Sequence, residues 1–331
     1  MVGLVLISAL MFGSDPSPAS DVGSFVRALW LVQRHGTAAA VDPANDLRVK
    51  AALAKSIGKD GKLSQSGLQE FMATETFTKL GGSEGRLGAE EVQKAVEASV
   101  PESRIRLLPR VRVHADFLTA SFDLIDEPHR QAGHQLVDWI ARRYRAGEAL
   151  DVIVVCTGNS RRSILAATTG NIAAAYYGMP EIRFHSGGTV PTACNIRTVN
   201  ALKSIGVEAE PTGKEADRAE PKTANPVYRL RWGVPGESSA LPMETLEFSK
   251  RYDDPSNPQK GFAALMVCSE ADAACPSVRG ADLRVSTPYL DPKIYDGGAY
   301  ESEKYAERRD DLGRLMLAVM MQVRQRIGSR P

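Results

Sequence analysis

Cysteine, net charge and long apolar runs are all scarce in this chain. Four cysteines in 331 residues do not make a disulfide framework. Forty-one basic side chains against 40 acidic ones leave a formal net charge of +1, which argues against the basic footprint of nucleic-acid or membrane-surface binding. The apolar opening Met1–Phe12 is too short to span a bilayer, so no integral membrane span is expected. With the small residues that follow, positions 1–20 resemble an export leader and its cleavage stretch, but the basic n-region is missing. Export and a cytoplasmic start therefore stand even. There is no repeat or low-complexity tract; 43% hydrophobic and 24% charged residues are ordinary for a globular protein of about two domains.

The informative residues begin after position 150. Residues 151–163 read Asp-Val-Ile-Val-Val-Cys-Thr-Gly-Asn-Ser-Arg-Arg-Ser, an apolar strand that ends in Cys156, six positions before Arg162 and seven before Ser163. A strand running into a helix leaves a loop whose N–H groups converge at the positive helix end, where a tetrahedral oxyanion docks. Thr157, Gly158, Asn159, Ser160 and Arg161 supply that cradle. Its amides, the Arg162 guanidinium and the Ser163 hydroxyl all favour a thiolate at Cys156, and Arg162 has the planar fork for a bidentate grip on the anion. An apolar strand ending in cysteine is by itself an ordinary core feature. Gly158 and Asn159, which tolerate left-handed backbone, and an apolar helix right after Ser163 favour a functional loop.

The segment resembles the active-site loop of the low-molecular-weight protein tyrosine phosphatase superfamily, and Cys-Thr-Gly-Asn-Ser-x-Arg-Ser is similar to its arsenate-reductase branch. Residues 262–276, Phe-Ala-Ala-Leu-Met-Val-Cys-Ser-Glu-Ala-Asp-Ala-Ala-Cys-Pro, form a second apolar strand ending in Cys268, with Cys275 after six further residues. This looks like the Cys-Ser-x-Ala-Asp-x-x-Cys-Pro element of thioredoxin-coupled arsenate reductases. The resemblance implies a relay in which Cys156 attacks arsenate, Cys268 attacks the adduct and Cys275 captures Cys268 as a disulfide. An external thioredoxin-like protein would then reset that disulfide, with no bound cofactor. Cys-x6-Cys is wider than the usual metal-ligand spacing and has no second pair, so no metal is expected. In Pro288-Tyr289-Leu290-Asp291-Pro292, Asp291 stands where both branches place a general acid. Asp296, in Tyr-Asp-Gly-Gly, reads as a turn residue. Arsenate reduction is the first expectation. Hydrolysis of a phosphate monoester is the second, and a non-catalytic oxyanion or redox sensor the third.

Alternating strands and helices predict a parallel sheet with helices on both faces, the phosphotyrosine phosphatase I-like fold, preceded by a mostly helical N-terminal region. The reading gives a helix over 163–177 with Ile164, Leu165, Ile172 and Tyr176 on a buried face. It continues with a strand over 182–186 leading into Ser186-Gly187-Gly188-Thr189, and a helix opened by Asn195-Ile196-Arg197 and ended at Gly206. From Glu301 a helix carries the stripe Leu312, Leu315, Met316, Val319, Met320, Val323 and Ile327. Residues 116–149 read as a helical extension of the 150–331 catalytic domain, and 21–115 as a region of unknown role. Two departures stand out. Arg161 replaces a cysteine found in many relatives, and residues 209–261 are an insertion whose Arg229, Arg231 and Trp232 read as a solvated surface with one packed tryptophan. Cys194 has no match in the relay and reads as a buried or spare thiol. Upstream, Arg34-His35-Gly36-Thr37 with Leu63–Gln69 resembles the opening of a histidine phosphatase, but the chain before Cys156 is too short for that domain. Residues 59–64 and 84–87 are similar to worn calcium loops. Gly67 closes the first, and the second keeps Glu91 but has Leu80 and Gly82 at ligand positions, which argues against calcium.

Overall fold

The computed structural model describes residues 102–328 apart from 120, 219–222, 236–240 and 276, together with 63–64 and 86–87. The leader-like segment 1–20 and the motif at 34–37 lie outside the described residues. Strands β1 (Leu63–Ser64) and β2 (Arg86–Leu87) pair antiparallel with Leu63 opposite Leu87; the remainder of the two calcium-like loops lies outside the described residues.

The helical extension begins earlier than residue 116. A short α1 (Glu102–Ile105) precedes α2 (Pro109–Thr119), which a boundary at 116 would cut in two. Pro109 suits a first helical position, where its missing N–H costs nothing, and Val111, Ala115 and Leu118 then recur on one buried face. After a 3-10 turn at Phe122–Leu124, α3 (Glu127–Arg143) starts on Asp126, whose carboxylate accepts the His129 N–H. A fully buried cluster fastens the extension to the rest of the chain: Arg104 and the Tyr176 hydroxyl both donate to Asp116, each at 2.6 Å.

The main body is a four-stranded, all-parallel sheet flanked by helices. Strand β3 (Leu150–Cys156) leads through α4 (Arg162–Tyr176) to β4 (Ile182–Gly188), and α5 (Ile196–Ser204) follows. Val152 to Val155 are all at 0% exposure, which is why β3 is a continuous apolar run rather than an alternating one. Helix α4 is buried around its whole circumference, more than the single face read from its sequence, because it lies between the sheet and the final helix. Asn195 caps α5, and Gly206 follows its end with φ of 94°, as the sequence predicts.

The insertion is a second sheet, not an open loop. Strands β5 (Glu208–Glu215), β6 (Pro226–Arg231) and β7 (Glu244–Glu247) pair antiparallel. Trp232 is buried at its end, while Arg229 and Arg231 make surface ion pairs with Glu244 and Glu208. The chain then returns through β8 (Phe262–Met266), a short α6 (Ser269–Ala274) and β9 (Ala281–Ser286) to the long α7 (Glu301–Gly328). The predicted stripe of α7 is buried from Leu312 to Val323, and Ile327 packs at its edge.

Sheet order is β4-β3-β8-β9. The chain moves from β3 to one side and later returns to the other, so the strand order reverses between β3 and β8. In open parallel sheets the crevice at the carboxyl ends of such strands is where ligands bind.

Candidate active site

The loop from Cys156 to Ser163 sits at that switch point. Asn159, at φ of 41°, is the one non-glycine residue with left-handed backbone among the described residues. A strained conformation of this kind persists only where the surroundings hold it. The loop's carbonyls are engaged from outside: Thr157 O accepts from Val190 N–H, Gly158 O from Thr192 N–H and Ser160 O from Asn195 N–H. Among the described residues, the N–H groups of Thr157 to Arg161 donate to no protein acceptor, which leaves them for an oxyanion. Cys156 is 3% exposed, and its Sγ lies 3.1 Å from Ser163 Oγ.

The two arginines of the motif do different work. Arg162 donates from Nη1 to Tyr289 O and from Nη2 to Asp291 Oδ2, both at 2.7 Å, so the fork expected to grip an anion is engaged by the loop that carries the candidate acid. Its Nε is buried with no partner. The Arg161 guanidinium, read from sequence as part of the cradle, turns instead toward α7. Its Nε donates to the Tyr305 hydroxyl at 2.6 Å and its Nη2 to Asp296 at 2.9 Å. Asp296 is accordingly more than a turn residue: it accepts from Arg161 and Tyr305 and fastens the 3-10 turn Pro292–Tyr295 behind Asp291. Asp291 caps that turn by accepting the Lys293 N–H at 3.0 Å. From the other side His129 of α3 stacks on Tyr289 at 4.1 Å, so the helical extension buttresses the acid loop.

Cys268 ends the strand segment next to Cys156. Val267 N–H donates to Val155 O, which carries the chain past the end of β8 alongside β3 and brings Cys268 to the carboxyl side of the sheet near Cys156, one position out of register with it. The Thr157 hydroxyl lies 3.4 Å from Cys268 Sγ. Burial pushes the Cys268 thiol up, against the pull of the Thr157 hydroxyl, the Ala271 N–H and Arg162. Cys268 caps the start of α6 and Cys275 its end. Arg284 of β9 closes the far end of α6 by donating to the carbonyls of Cys275 (2.9 Å) and Asp272 (2.7 Å) and pairing with the Asp272 carboxylate.

A further set of residues comes from the insertion and carried no signal in the sequence. The Ser249 hydroxyl donates to Gly158 O at 2.9 Å, and the Lys250 N–H donates to Asn159 Oδ1 at 2.8 Å. This segment runs beside β4 so closely that a Cβ on Gly187 would stand 2.5 Å from Tyr252 Cα. A Cβ on Gly188 would stand 2.7 Å from Thr157 O, so both glycines of the Ser-Gly-Gly-Thr turn are needed for close approach. Cys194 is buried, and burial pushes its thiol up; Glu247 and Lys250, not the three other cysteines, are its charged neighbours.

Among the described residues no group of three His, Cys, Asp or Glu side chains gathers to hold a metal, and no helix is long and apolar enough to cross a membrane. No protein-family model matches the chain, and no curated protein matches it in sequence.

Proposed function

We propose that this chain is a cysteine-dependent oxyanion enzyme of the low-molecular-weight phosphatase type that reduces arsenate through Cys156, Cys268 and Cys275. The observation that carries the reading is the placement of Cys156 and Cys268 at adjacent strand ends across the topological switch, with Cys275 at the far end of the helix that Cys268 caps. Arsenate binds on the loop N–H groups and Arg162. Arsenate displaces the Asp291 carboxylate from Arg162, and Asp291 takes up a proton on release from that ion pair. The Cys156 thiolate attacks arsenic and an As–O bond breaks, the departing oxygen taking the Asp291 proton and leaving as water. Cys268 then attacks Cys156 Sγ. The S–As bond breaks with its electron pair going to arsenic, so As(V) becomes As(III) while two thiols become a disulfide. Cys275 displaces Cys156 from Cys268, and a dithiol reductant of the thioredoxin class restores the pair.

The last exchange demands movement. Cys268 and Cys275 are seven residues apart along α6, about 10 Å of helix rise, whereas a disulfide needs Cα atoms within about 7 Å. Helix α6 must unwind to join them. Incubating the reduced protein with one equivalent of arsenate should leave a Cys268–Cys275 disulfide by peptide mass mapping, with Cys156 returned to the thiol and helical signal lost. Reductant consumption that does not depend on arsenate, with no such disulfide, rejects the relay.

Arg284 holds α6 wound. Arg284→Gln removes its charged contacts to the helix end, and hydrogen bonds of that kind are worth enough to speed unwinding about tenfold. Rapid-quench measurement of Cys268–Cys275 formation after arsenate should show that gain, with the rate of Cys156 adduct formation unchanged. An unaltered disulfide rate would mean that unwinding does not limit the exchange.

Hydrolysis of a phosphate monoester is the second reading. It requires only Cys156, Arg162 and Asp291, and the direct Arg162–Asp291 contact already brings the acid to the anion site. In that case Asp291 protonates the leaving oxygen and then activates water against the cysteinyl-phosphate.

A further inference from the structure

We infer that Glu247 and Lys250, both supplied by the insertion, are positioning residues: Glu247 through Ser186, and Lys250 through its backbone N–H and its side-chain pairing with Glu247, fix the amide of Asn159 and thereby aim the Ser163 hydroxyl at Cys156. This rests on the reading of Cys156 as the nucleophile and adds a role for the insertion, which that reading does not use.

The directions of the hydrogen bonds follow from the donor inventory. A carboxylate only accepts, so the Ser186 hydroxyl, whose contact is with Glu247 Oε1, donates its proton there. Ser186 Oγ is then an acceptor, and it takes one hydrogen of Asn159 Nδ2 at 2.8 Å. The other end of the same amide is held by the Lys250 N–H on Oδ1 at 2.8 Å. Gripped at both ends, the amide presents Nδ2 to Ser163 Oγ at 2.9 Å. Ser163 therefore accepts from Asn159, and its single proton is left for the sulfur 3.1 Å away. Such chains polarise one another in a dry interior, and Asn159 and Ser163 are both at 0% exposure.

Glu247 and Lys250 are the ionic end of this chain. Their side chains are 4% and 6% exposed, with Nζ at 3.7 Å from Oε1 and 4.4 Å above the Phe248 ring. The other titratable neighbours are Cys194 and Tyr228, the latter opposite Glu247 in the strand register. Burial pushes both of them up, so neither adds a competing anion. At the other end, Arg162 and Cys268 face Cys156, and burial likewise pushes the Cys268 thiol up. A buried ion pair adds little stability relative to an apolar pair of similar size. Its service here is orientation.

The test is the rate at which iodoacetamide alkylates Cys156 as a function of pH, read on the Cys156 peptide of the full chain. Glu247→Met/Lys250→Met replaces the pair by apolar side chains of similar length, and Ser186→Ala removes the link to Asn159 without touching charge. Each should slow Cys156 alkylation about tenfold at pH 7 and move its rise to more alkaline pH, as expected for the loss of a charge-assisted hydrogen bond. Glu247→Gln, whose amide oxygen still accepts from Ser186, should restore the profile to within about twofold. A wild-type profile in a cooperatively melting double variant, or in Ser186→Ala, overturns the inference; if the double variant fails to fold, Ser186→Ala decides. Protection of wild-type Cys156 by phosphate tests the nucleophile itself. Its absence defeats the proposed function, whereas protection with unchanged variant profiles defeats only the role of the insertion.

Discussion

Cys156→Ser is expected to lose arsenate turnover and aryl phosphate hydrolysis together, each by at least about 10⁴-fold, which is the scale on which removal of a nucleophile acts. The exchange of sulfur for oxygen keeps the size of the side chain, and the loop is held by contacts that do not involve Sγ: Ser249 on Gly158, Lys250 on Asn159 and Asn195 on Ser160. The variant should therefore melt cooperatively and still bind phosphate, because the free loop N–H groups and Arg162 are untouched. The loss comes from chemistry: a serine hydroxyl in this cradle is not ionised near neutral pH, and no histidine is among the partners of Cys156 or Ser163 to act as its base. Steady-state assay of both substrates, with phosphate binding by calorimetry on the same preparation, reads all three quantities. Retained turnover in a folded variant would remove both catalytic readings and leave an oxyanion or redox sensor.

How far the sequence carries depends on whether an interaction is local. Strands β3 and β8 are legible because a parallel strand covered on both faces must be apolar throughout; β3 ends at Cys156, and the apolar run of β8 continues through Val267 to Cys268. Asn195 and Gly206 mark α5 because capping chemistry is written within a few residues of the helix end. The stripe of α7 is legible for the same reason of period. The side chain of Arg161 misleads because its neighbours in sequence place it in the cradle, while its partners Asp296 and Tyr305 are more than 130 positions away. Glu247 and Lys250 are invisible for that reason also. Nothing local in Glu-Phe-Ser-Lys marks it, and only the return of the chain after β7 brings it against the Asn159 amide. The early start of α2 lay in a proline that suits a first helical turn, a signal present in the sequence at Pro109.

The paired cysteines separate the two catalytic readings most sharply. Cys268→Ser or Cys275→Ser should reduce thioredoxin-coupled arsenate turnover by at least about 10³-fold, since a relay missing one thiol halts after a single event. The same variants should hydrolyse an aryl phosphate within about threefold of the wild-type rate, because that reaction uses Cys156, Arg162 and Asp291 and releases no electrons. The two halts differ in kind. Without Cys268, arsenate stays on Cys156 as a thiol ester and no arsenite forms. Without Cys275, one equivalent of arsenite is released and a Cys156–Cys268 disulfide accumulates. Arsenic speciation and non-reducing peptide maps distinguish these species directly. Wild-type arsenate turnover in both single variants rules out the relay and makes phosphate monoester hydrolysis the function that the Cys156 loop supports.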